Sequence, residues 1–253
     1  MFETDRLILR EWKETDAESL YKYANNPDVG PVAGWPPHTS VENSLEIIRN
    51  VLSADETYAV CLKEDNRAIG SIGLISPEQS HTKMGGNELE IGFWIGKPFW
   101  GNGYIPEAVR EMQRHAFWDL KCTALWCGYY DGNEKSKRCQ EKCGFVYHHT
   151  EENKPCVLMG DIRTEHFTYL TKERWKEIYG QYCKKELDTE KDECPICKKQ
   201  SKGNSKPQNE DINEYEAAEI VSTMMITGIL YITYDIKWSV VAQKARKERL
   251  LFM

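Results

Sequence analysis

Short stretches of alternating or continuous apolar residues recur along the first two-thirds of the chain. Residues 6–12 alternate between apolar and polar side chains, which predicts a first strand because successive strand side chains point to opposite faces. Apolar, β-rich runs predict further strands over residues 58–62, 68–75, 89–95 and 123–129, and a final hairpin over residues 145–150 and 157–169.

Segments with helical spacing of apolar residues lie between these strands. They predict a helix capped by Thr15–Asp16 and a second helix after Thr39–Ser40. Residues 107–118 and 134–142 have the same character, and a short helix is expected to start at Thr171. Strands interspersed with helices predict an α/β fold of the α+β sandwich type.

The character of the chain changes after residue 181, which we take as the end of a first domain over residues 1–181. Residues 182–215 are dense in polar and charged side chains, which predicts a linker. Residues 216–253 are periodic and apolar, which predicts a helical extension of unknown role, although their β-branched residues leave a strand open.

Part of this extension, residues 220–241, approaches the length of a membrane span. Asp235 and Lys237 interrupt it, and charges inside a span are costly. A packing or dimerising helix is therefore favoured, which leaves a homodimer open, and no membrane partner is expected.

Composition and charge narrow the class of protein. The 253 residues are 40% hydrophobic and 29% charged, as in a globular protein. A formal charge of −7 argues against a nucleic-acid partner, because phosphate backbones are bound by basic patches. The absence of an opening secretory signal and the odd number of scattered cysteines, nine, predict a reducing cytoplasmic location.

The pair Cys194 and Cys197 is half of a zinc knuckle, but no second half follows it in the sequence. Cys183 would still leave a structural zinc site short of four ligands. Two ordinary thiols are therefore favoured and no metal is expected, while a site completed by another chain and a redox pair remain alternatives.

The glycine turn over residues 100–105 lies between the strand over 89–95 and the helix over 107–118. A helix that starts at such a turn presents unpaired N–H groups and the positive end of its dipole, which together favour a phosphate. Alone, this Gly-x-Gly pattern is more often an ordinary surface turn. Neither the Rossmann nor the Walker A pattern is present.

Four blocks of sequence, taken together, are more specific. They are residues 3–10 (ETDRLILR), 88–96 (ELEIGFWIG), 100–107 (WGNGYIPE) and 133–145 (NEKSKRCQEKCGF). In this order and spacing the chain resembles the GNAT superfamily of acetyl-CoA-dependent N-acetyltransferases, in particular the ribosomal-protein N-terminal acetyltransferase-like branch. The resemblance covers roughly residues 1–181 and implies a mixed, mostly antiparallel central sheet flanked by helices.

The resemblance implies where acetyl-CoA would bind. Its pyrophosphate would lie on the backbone N–H groups of the turn, formed by Trp100, Gly101, Asn102, Gly103, Tyr104 and Ile105. Its pantetheine arm would pair with the backbone of Phe93, Trp94 and Ile95, on a strand that diverges from the next strand to admit the thioester. Trp100 stands where the family often has Gln or Arg, and Ile105 where it has a small residue.

The resemblance also assigns roles to Asn133 and Ser136. Asn133 would contact the cosubstrate near its pantetheine, and Ser136 would protonate the departing thiolate. Read from the residues alone, Asn133 is an N-cap with Ser136 in the first helical turn, and both interpretations can hold. Tyr130, Tyr147 and Cys139 remain alternatives for the acid.

Glu90 is our candidate general base, because a carboxyl beside an apolar cleft can have its pKa raised toward neutrality. Glu88 lies on the same face of the predicted strand and is the second candidate. The alternative is that both carboxylates are solvated and that the amine enters deprotonated. By the resemblance, Trp35 and His38 belong to a wall of the acceptor pocket, whereas the residues alone fit a rigid, packed loop equally well.

The sequence therefore predicts an N-acetyltransferase that acts on a primary amine. The candidate acceptors are a protein N-terminus and a small molecule such as a polyamine, an aminoglycoside-like compound or an amino-sugar. The alternative is a binding module of a different class, in which a catalytically weak fold senses acyl-CoA and the C-terminal extension transmits the signal.

Overall fold

The computed structural model describes residues 1–80 and 82–183. Within these ranges the chain divides into two units, residues 1–171 and residues 172–183. Helix α5 (Lys172–Cys183) forms the described part of the second unit. The Cys194/Cys197 pair, the helical extension and all but the first two residues of the predicted linker lie outside the described residues. No helix of the described ranges has the length and apolar character of a membrane span.

Eight strands of the described chain form one sheet in the order β1-β2-β3-β4-β5-β6-β8-β7. They are β1 (Phe2–Glu3), β2 (Leu7–Arg10), β3 (Thr57–Leu62), β4 (Ala68–Ile75), β5 (Glu88–Ile95), β6 (Ala124–Tyr130), β7 (Val146–Cys156) and β8 (Asp161–Thr171). Only the β5–β6 pair is parallel among these strands. The mixed, mostly antiparallel sheet confirms the predicted fold class.

Four helices belong to the first unit and pack in two pairs, α1 with α2 and α3 with α4. They are α1 (Ala17–Ala24), α2 (Val41–Ile47), α3 (Tyr104–Arg114) and α4 (Glu134–Lys142). The predicted caps Ser40 and Asn133 accept hydrogen bonds from the N–H groups of Asn43 (3.0 Å) and Ser136 (3.2 Å). These two helices therefore begin where the sequence predicts.

The core follows from the apolar pattern. Every residue of β4 is buried, and this strand contacts both α1 and α3 as well as its two neighbouring strands. Helix α3 buries Ala108, Val109 and Met112, which recur at helical spacing and give it one apolar face. This packing holds the start of α3 close to the ends of the central strands.

Three local predictions were wrong or incomplete. Asp16 does not cap α1, because its carboxylate is bound by Arg10 and by the N–H of Lys13. The last hairpin turns at residues 157–160 rather than at 151–156, since β7 runs to Cys156 and pairs with β8 on both sides of an irregularity between Glu151 and Lys154. Strand β1 was not predicted, and it pairs with only two residues of β2.

Candidate active site

A gap between β5 and β6 forms the candidate site. The two strands pair only from Glu88 to Glu90 on β5, opposite Ala124 to Trp126 on β6, and then diverge. The resulting cleft is lined by Val32, Ala33, Glu90, Ile91, Gly92, Phe93, Cys127, Gly128, Tyr129, Tyr130, Asn133, Ser136 and Glu165. This divergence is the one that the family resemblance implied.

Beyond Glu90, the edge of β5 that faces the gap has no strand partner among the described residues. Gly96 donates its N–H to Ile69 of β4, and backbone groups alternate between the two edges of a strand. The backbone groups of Phe93 and Ile95 therefore face the gap, whereas those of Trp94 face β4. The Trp94 side chain instead packs edge-on against Trp35, with ring centroids 5.5 Å apart.

The glycine turn ends in an array of unpaired donors. Among the described residues, the N–H groups from Gly101 to Ile105 have no hydrogen-bond acceptor. Gly101 and Gly103 have φ angles of +79° and +78°, which L-residues with a side chain rarely adopt. Nothing in the described chain lies within 4 Å of a Cβ placed on Gly101, so a ligand can approach this backbone closely. The donors lead directly into α3, whose dipole favours an anion at this end.

Trp100 connects this turn to β5. Its indole N–H donates to the carbonyl of Ile95 at 2.9 Å, and the Lys135 ammonium lies 4.4 Å from the centre of one face of its ring. The side chain at this position therefore braces the loop and stacks under a cation at the start of α4.

Glu90 lies at the vertex of the gap and is 2% exposed. Its Oε2 accepts hydrogen bonds from the hydroxyl groups of Ser80 and, at 3.4 Å, Thr82, both on the loop between β4 and β5. Its Oε1 accepts none from the described chain. Burial raises the pKa of Glu90 to about 7 against the opposing effect of the Ser80 hydrogen bond. Such a carboxyl can accept a proton near neutral pH.

Glu88 shares this face of β5 but is held differently. Its carboxylate accepts hydrogen bonds from the indole of Trp126 at 2.8 Å, the hydroxyl of Tyr169 at 3.1 Å and the N–H of Gly85 at 2.9 Å. Although partial burial opposes it, these donors lower the pKa of Glu88. Glu88 is also absent from the residues that line the cleft.

A second buried carboxyl in the cleft, Glu165 on β8, was missed by the sequence analysis. It is 4% exposed, and its Oε2 lies 2.8 Å from the Lys154 ammonium of β7. A Cβ on Gly128 would come within 2.6 Å of its Oε1, so this approach requires glycine. The spacing of Arg163, Glu165 and Phe167 in the sequence indicates that their side chains share one face of a strand. It does not indicate that this face borders the cleft.

Ser136 and Asn133 reach the cleft from α4. Gln140, which is 1% exposed, donates from Nε2 to the carbonyl of Gly128 (3.1 Å) and to Ser136 Oγ (3.0 Å). A carbonyl can only accept, so the Gly128 contact determines which end of the Gln140 amide is the donor. Ser136 Oγ consequently accepts from Gln140 and retains its own proton for donation.

The alternative acids are placed differently. Tyr130 lines the cleft, and burial raises the pKa of its hydroxyl. Tyr147 is 62% exposed and its hydroxyl is hydrogen bonded to Thr150, outside the cleft. Cys139 also lies outside the lining, and a hydrogen bond with Cys143 together with burial raises the pKa of its thiol.

The loop after α1 closes one end of the cleft through Val32 and Ala33. Arg163 donates to the carbonyl of Pro31 (2.6 Å) and Asn133 to that of Val32 (3.2 Å). Asn133 therefore caps α4 and also holds the loop after α1 through the carbonyl of Val32.

Trp35 and His38 lie behind this loop rather than in the lining. His38 is hydrogen bonded to Ser44 at 2.8 Å, and burial lowers its pKa to about 4. Trp35 is 3% exposed and packs between His38 and Trp94. In this position both residues support the cleft wall from behind.

Comparisons with known proteins agree with this geometry. A family model described as "Acetyltransferase (GNAT) domain" matches residues 6–146, more than half of the chain. The uncharacterized N-acetyltransferase p20 of Bacillus licheniformis is 30% identical over 127 residues, which are 48% of this chain and 68% of that protein. The uncharacterized N-acetyltransferase YoaA of Bacillus subtilis (strain 168) is 27% identical over 150 residues, 57% of this chain and 82% of its own length.

A solved structure shares the fold. The crystal structure of a GNAT-family acetyltransferase from Bacillus anthracis superposes with a TM-score of 0.59 at 20% identity, covering 68% of this chain and 98% of that one. The likeness extends over nearly all of the solved protein, so the sheet and its flanking helices form a fold already observed as a whole.

Proposed function

The chain belongs to the GNAT acetyltransferase family, and on that premise we propose that this N-acetyltransferase moves the acetyl group of acetyl-CoA to a primary amine that enters the cleft as a cation. The acceptor is a small-molecule amine or a protein N-terminus. The observation that carries the proposal is the divergence of β5 from β6, with the buried Glu90 at its vertex.

The cosubstrate end of the proposal rests on unpaired backbone donors. The N–H groups from Gly101 to Ile105 are suited to the pyrophosphate, and the gap-facing groups of Phe93 and Ile95 to the pantetheine amides. When bound there, acetyl-CoA supplies an activated acetyl thioester inside the gap. A further backbone N–H group on the gap-facing edge of β5 would polarise the carbonyl of the thioester.

The acceptor end rests on charge. Among the described residues that line the cleft, the ionisable carboxyls are Glu90 and Glu165, and neither lysine nor arginine is present. The Lys154 ammonium lies 2.8 Å from Glu165 and neutralises it, so the ionised fraction of Glu90 is the carboxylate left in the lining to attract a cation. A protonated amine is therefore favoured over a neutral or anionic acceptor.

The proton path follows from the two sides of the cleft. Glu90 accepts a proton from the entering ammonium, directly or through one water, because its pKa of about 7 leaves part of the population ionised at neutral pH. Ser136 passes its proton to the departing thiolate and regains one from solvent water, because Ser136 Oγ accepts a hydrogen bond from Gln140 and its own O–H is free to donate. Much of the remaining rate would come from proximity and orientation.

The test is acetyl-CoA consumption, read as free thiol release, against a panel of primary amines and N-terminal peptides. Gly101→Val places a side chain on the glycine turn at a positive φ (+79°), where nothing in the described chain lies within 4 Å of the new Cβ. Gly160→Val is the matched control, because Gly160 also has a positive φ (+68°) and open space around it but lies in the β7–β8 turn. We expect turnover with one class of cationic amine, lost in Gly101→Val and retained in Gly160→Val.

Two other results would contradict the proposal. Binding of acetyl-CoA without turnover across the whole panel would replace the enzyme with an acyl-CoA sensor. Equal loss in the two glycine variants would mean that backbone strain, and not a blocked phosphate site, explains the effect.

A further inference from the structure

The N-terminal block, residues 3–10, has no role in the proposed chemistry, yet it binds the phosphate turn. The Arg6 guanidinium donates from Nε to Glu107 Oε2 at 2.7 Å and from Nη1 to the carbonyl of Asn102 at 3.0 Å. Thr4 Oγ1 (2.6 Å) and the N–H of Arg6 (2.8 Å) both donate to Glu107 Oε1. Arg6, the residue before β2, thus connects the N-terminal block to the first turn of α3 and to the loop before that helix.

The contact with Asn102 determines the direction of an N–H group. The described chain contains no cis peptide bond, and in a trans peptide the C=O and N–H groups point in opposite directions. Because Arg6 holds the Asn102 carbonyl, the N–H of Gly103 points away from Arg6. Arg6 itself lies against the outer side of the turn, 4.5 Å from the centre of the Tyr104 ring.

The contact with Glu107 removes an unfavourable charge. Glu107 lies in the first turn of α3, and its side chain is only 17% exposed. An unpaired carboxylate at this place would repel a pyrophosphate bound to the same helix end. Arg6, with Thr4, consumes both oxygens of the carboxylate and cancels its charge.

We propose that Arg6 is a positioning residue for the cosubstrate: it aims the Gly103 N–H at the pyrophosphate and neutralises Glu107 beside it. The inference rests on the proposed function, because it assumes that the turn binds acetyl-CoA. By this inference the N-terminal block contributes to binding acetyl-CoA and takes no direct part in the acyl transfer.

The test compares two acetyl donors, acetyl-CoA and S-acetylpantetheine, which lacks the pyrophosphate. We expect Arg6→Gln to raise the KM for acetyl-CoA about tenfold, as for loss of a charge-assisted hydrogen bond, and to leave kcat unchanged. The kcat/KM for S-acetylpantetheine should not change. Calorimetric titration with CoA and with pantetheine gives the same comparison as dissociation constants.

Further variants separate the two actions of Arg6. Arg6→Lys keeps a charge near Glu107 without the planar fork and should recover part of the affinity. The double variant Arg6→Gln/Glu107→Gln removes the uncompensated carboxylate and should bind CoA more tightly than Arg6→Gln alone. Lys63→Gln is the matched control, because Lys63 contacts the Thr4 carbonyl and Glu3 of the same segment but not the turn.

Equal losses with the two donors would overturn the inference, because a merely structural role predicts them. An unchanged KM for acetyl-CoA in Arg6→Gln would overturn it as well, while turnover by the wild type left the proposed function intact. A wild-type protein that neither binds nor consumes acetyl-CoA would refute the proposed function, and the inference with it.

Discussion

Asp16 in the N-terminal corner and Glu90 in the cleft are both buried carboxyls, but their partners differ. Asp16 receives a two-point contact from the Arg10 guanidinium, at 2.7 and 2.9 Å, and a third hydrogen bond from the N–H of Lys13. From the described residues, Glu90 receives two hydroxyl groups, both on one oxygen. A full positive charge faces the first carboxyl and none directly contacts the second within the described chain.

This difference in partners distinguishes a carboxyl that is held in an ion pair from one that can exchange a proton near neutral pH. The hydrogen bond with Asp16 raises the pKa of Arg10, so the guanidinium stays charged and occupies both oxygens of the Asp16 side chain. Without such a partner, burial raises the pKa of Glu90 to about 7. The cleft therefore keeps a proton acceptor near neutrality, which is where an acid–base catalyst is most useful.

Removing the carboxylate from the paired region should have the largest effect, and on stability alone. Asp16→Ala leaves Arg10 charged and buried, which should lower the free energy of unfolding by about 3–5 kcal/mol. Urea denaturation measures this, and kcat per folded molecule should be unchanged. Glu14→Ala, which removes an exposed pair with Arg49, is the control and should change little. Similar losses in both variants would contradict the comparison.

The corresponding change in the cleft should act on catalysis. Glu90→Gln removes the proton acceptor and should lower kcat about 10²–10⁴-fold, the range typical of a lost general base. The acidic limb of the pH profile of kcat/KM, expected near pH 7, should disappear with it. Glu88→Gln is the matched change on the same strand and should have a much smaller effect. A larger loss of kcat in Glu88→Gln than in Glu90→Gln would identify Glu88 as the general base instead.

The smallest expected effect is a pH-dependent gain in stability from the same Glu90→Gln change. The carboxyl has a pKa of about 7 when folded and an ordinary value of 4.5 when unfolded. Ionisation therefore favours the unfolded chain, and wild-type stability falls as the pH rises from 4.5 through 7. Relative to the wild type, Glu90→Gln should gain about 2 kcal/mol between pH 5 and pH 8. A difference that does not depend on pH would mean that Glu90 has an ordinary pKa.

Much of the fold could be predicted because the pattern is local. Helix α4 has the predicted bounds, 134–142, and Ser40 and Asn133 act as the predicted caps. The errors arise where a distant residue competes. Asp16 would cap α1 on local grounds, but Arg10 of β2 binds it more strongly. The polar run from Glu151 to Lys154 reads as a turn, yet it continues β7 because both residues pair with β8.

The candidate site was only partly visible for the same reason. Glu90, Ser136 and the turn at residues 100–105 lie in recognisable blocks, whereas Glu165 and Gln140 carry no local signal. Glu165 enters the cleft because β8 pairs with the whole of β6, from Ala124 to Tyr130. Gln140 aims Ser136 only because the carbonyl of Gly128 is within reach.

The sequence by itself therefore determined the order of strands and helices, the glycine turn at the start of α3 and the residues that carry the family resemblance. These follow from spacing, turn chemistry and capping, which act over a few neighbouring residues. Only the tertiary structure decided how far β5 and β6 separate, which buried carboxyl has no cationic partner in the described chain, and that Arg6 contacts the glycine turn. Each of these depends on groups far apart in the chain, and the free energy of burying a charge depends on the partners that folding brings to it.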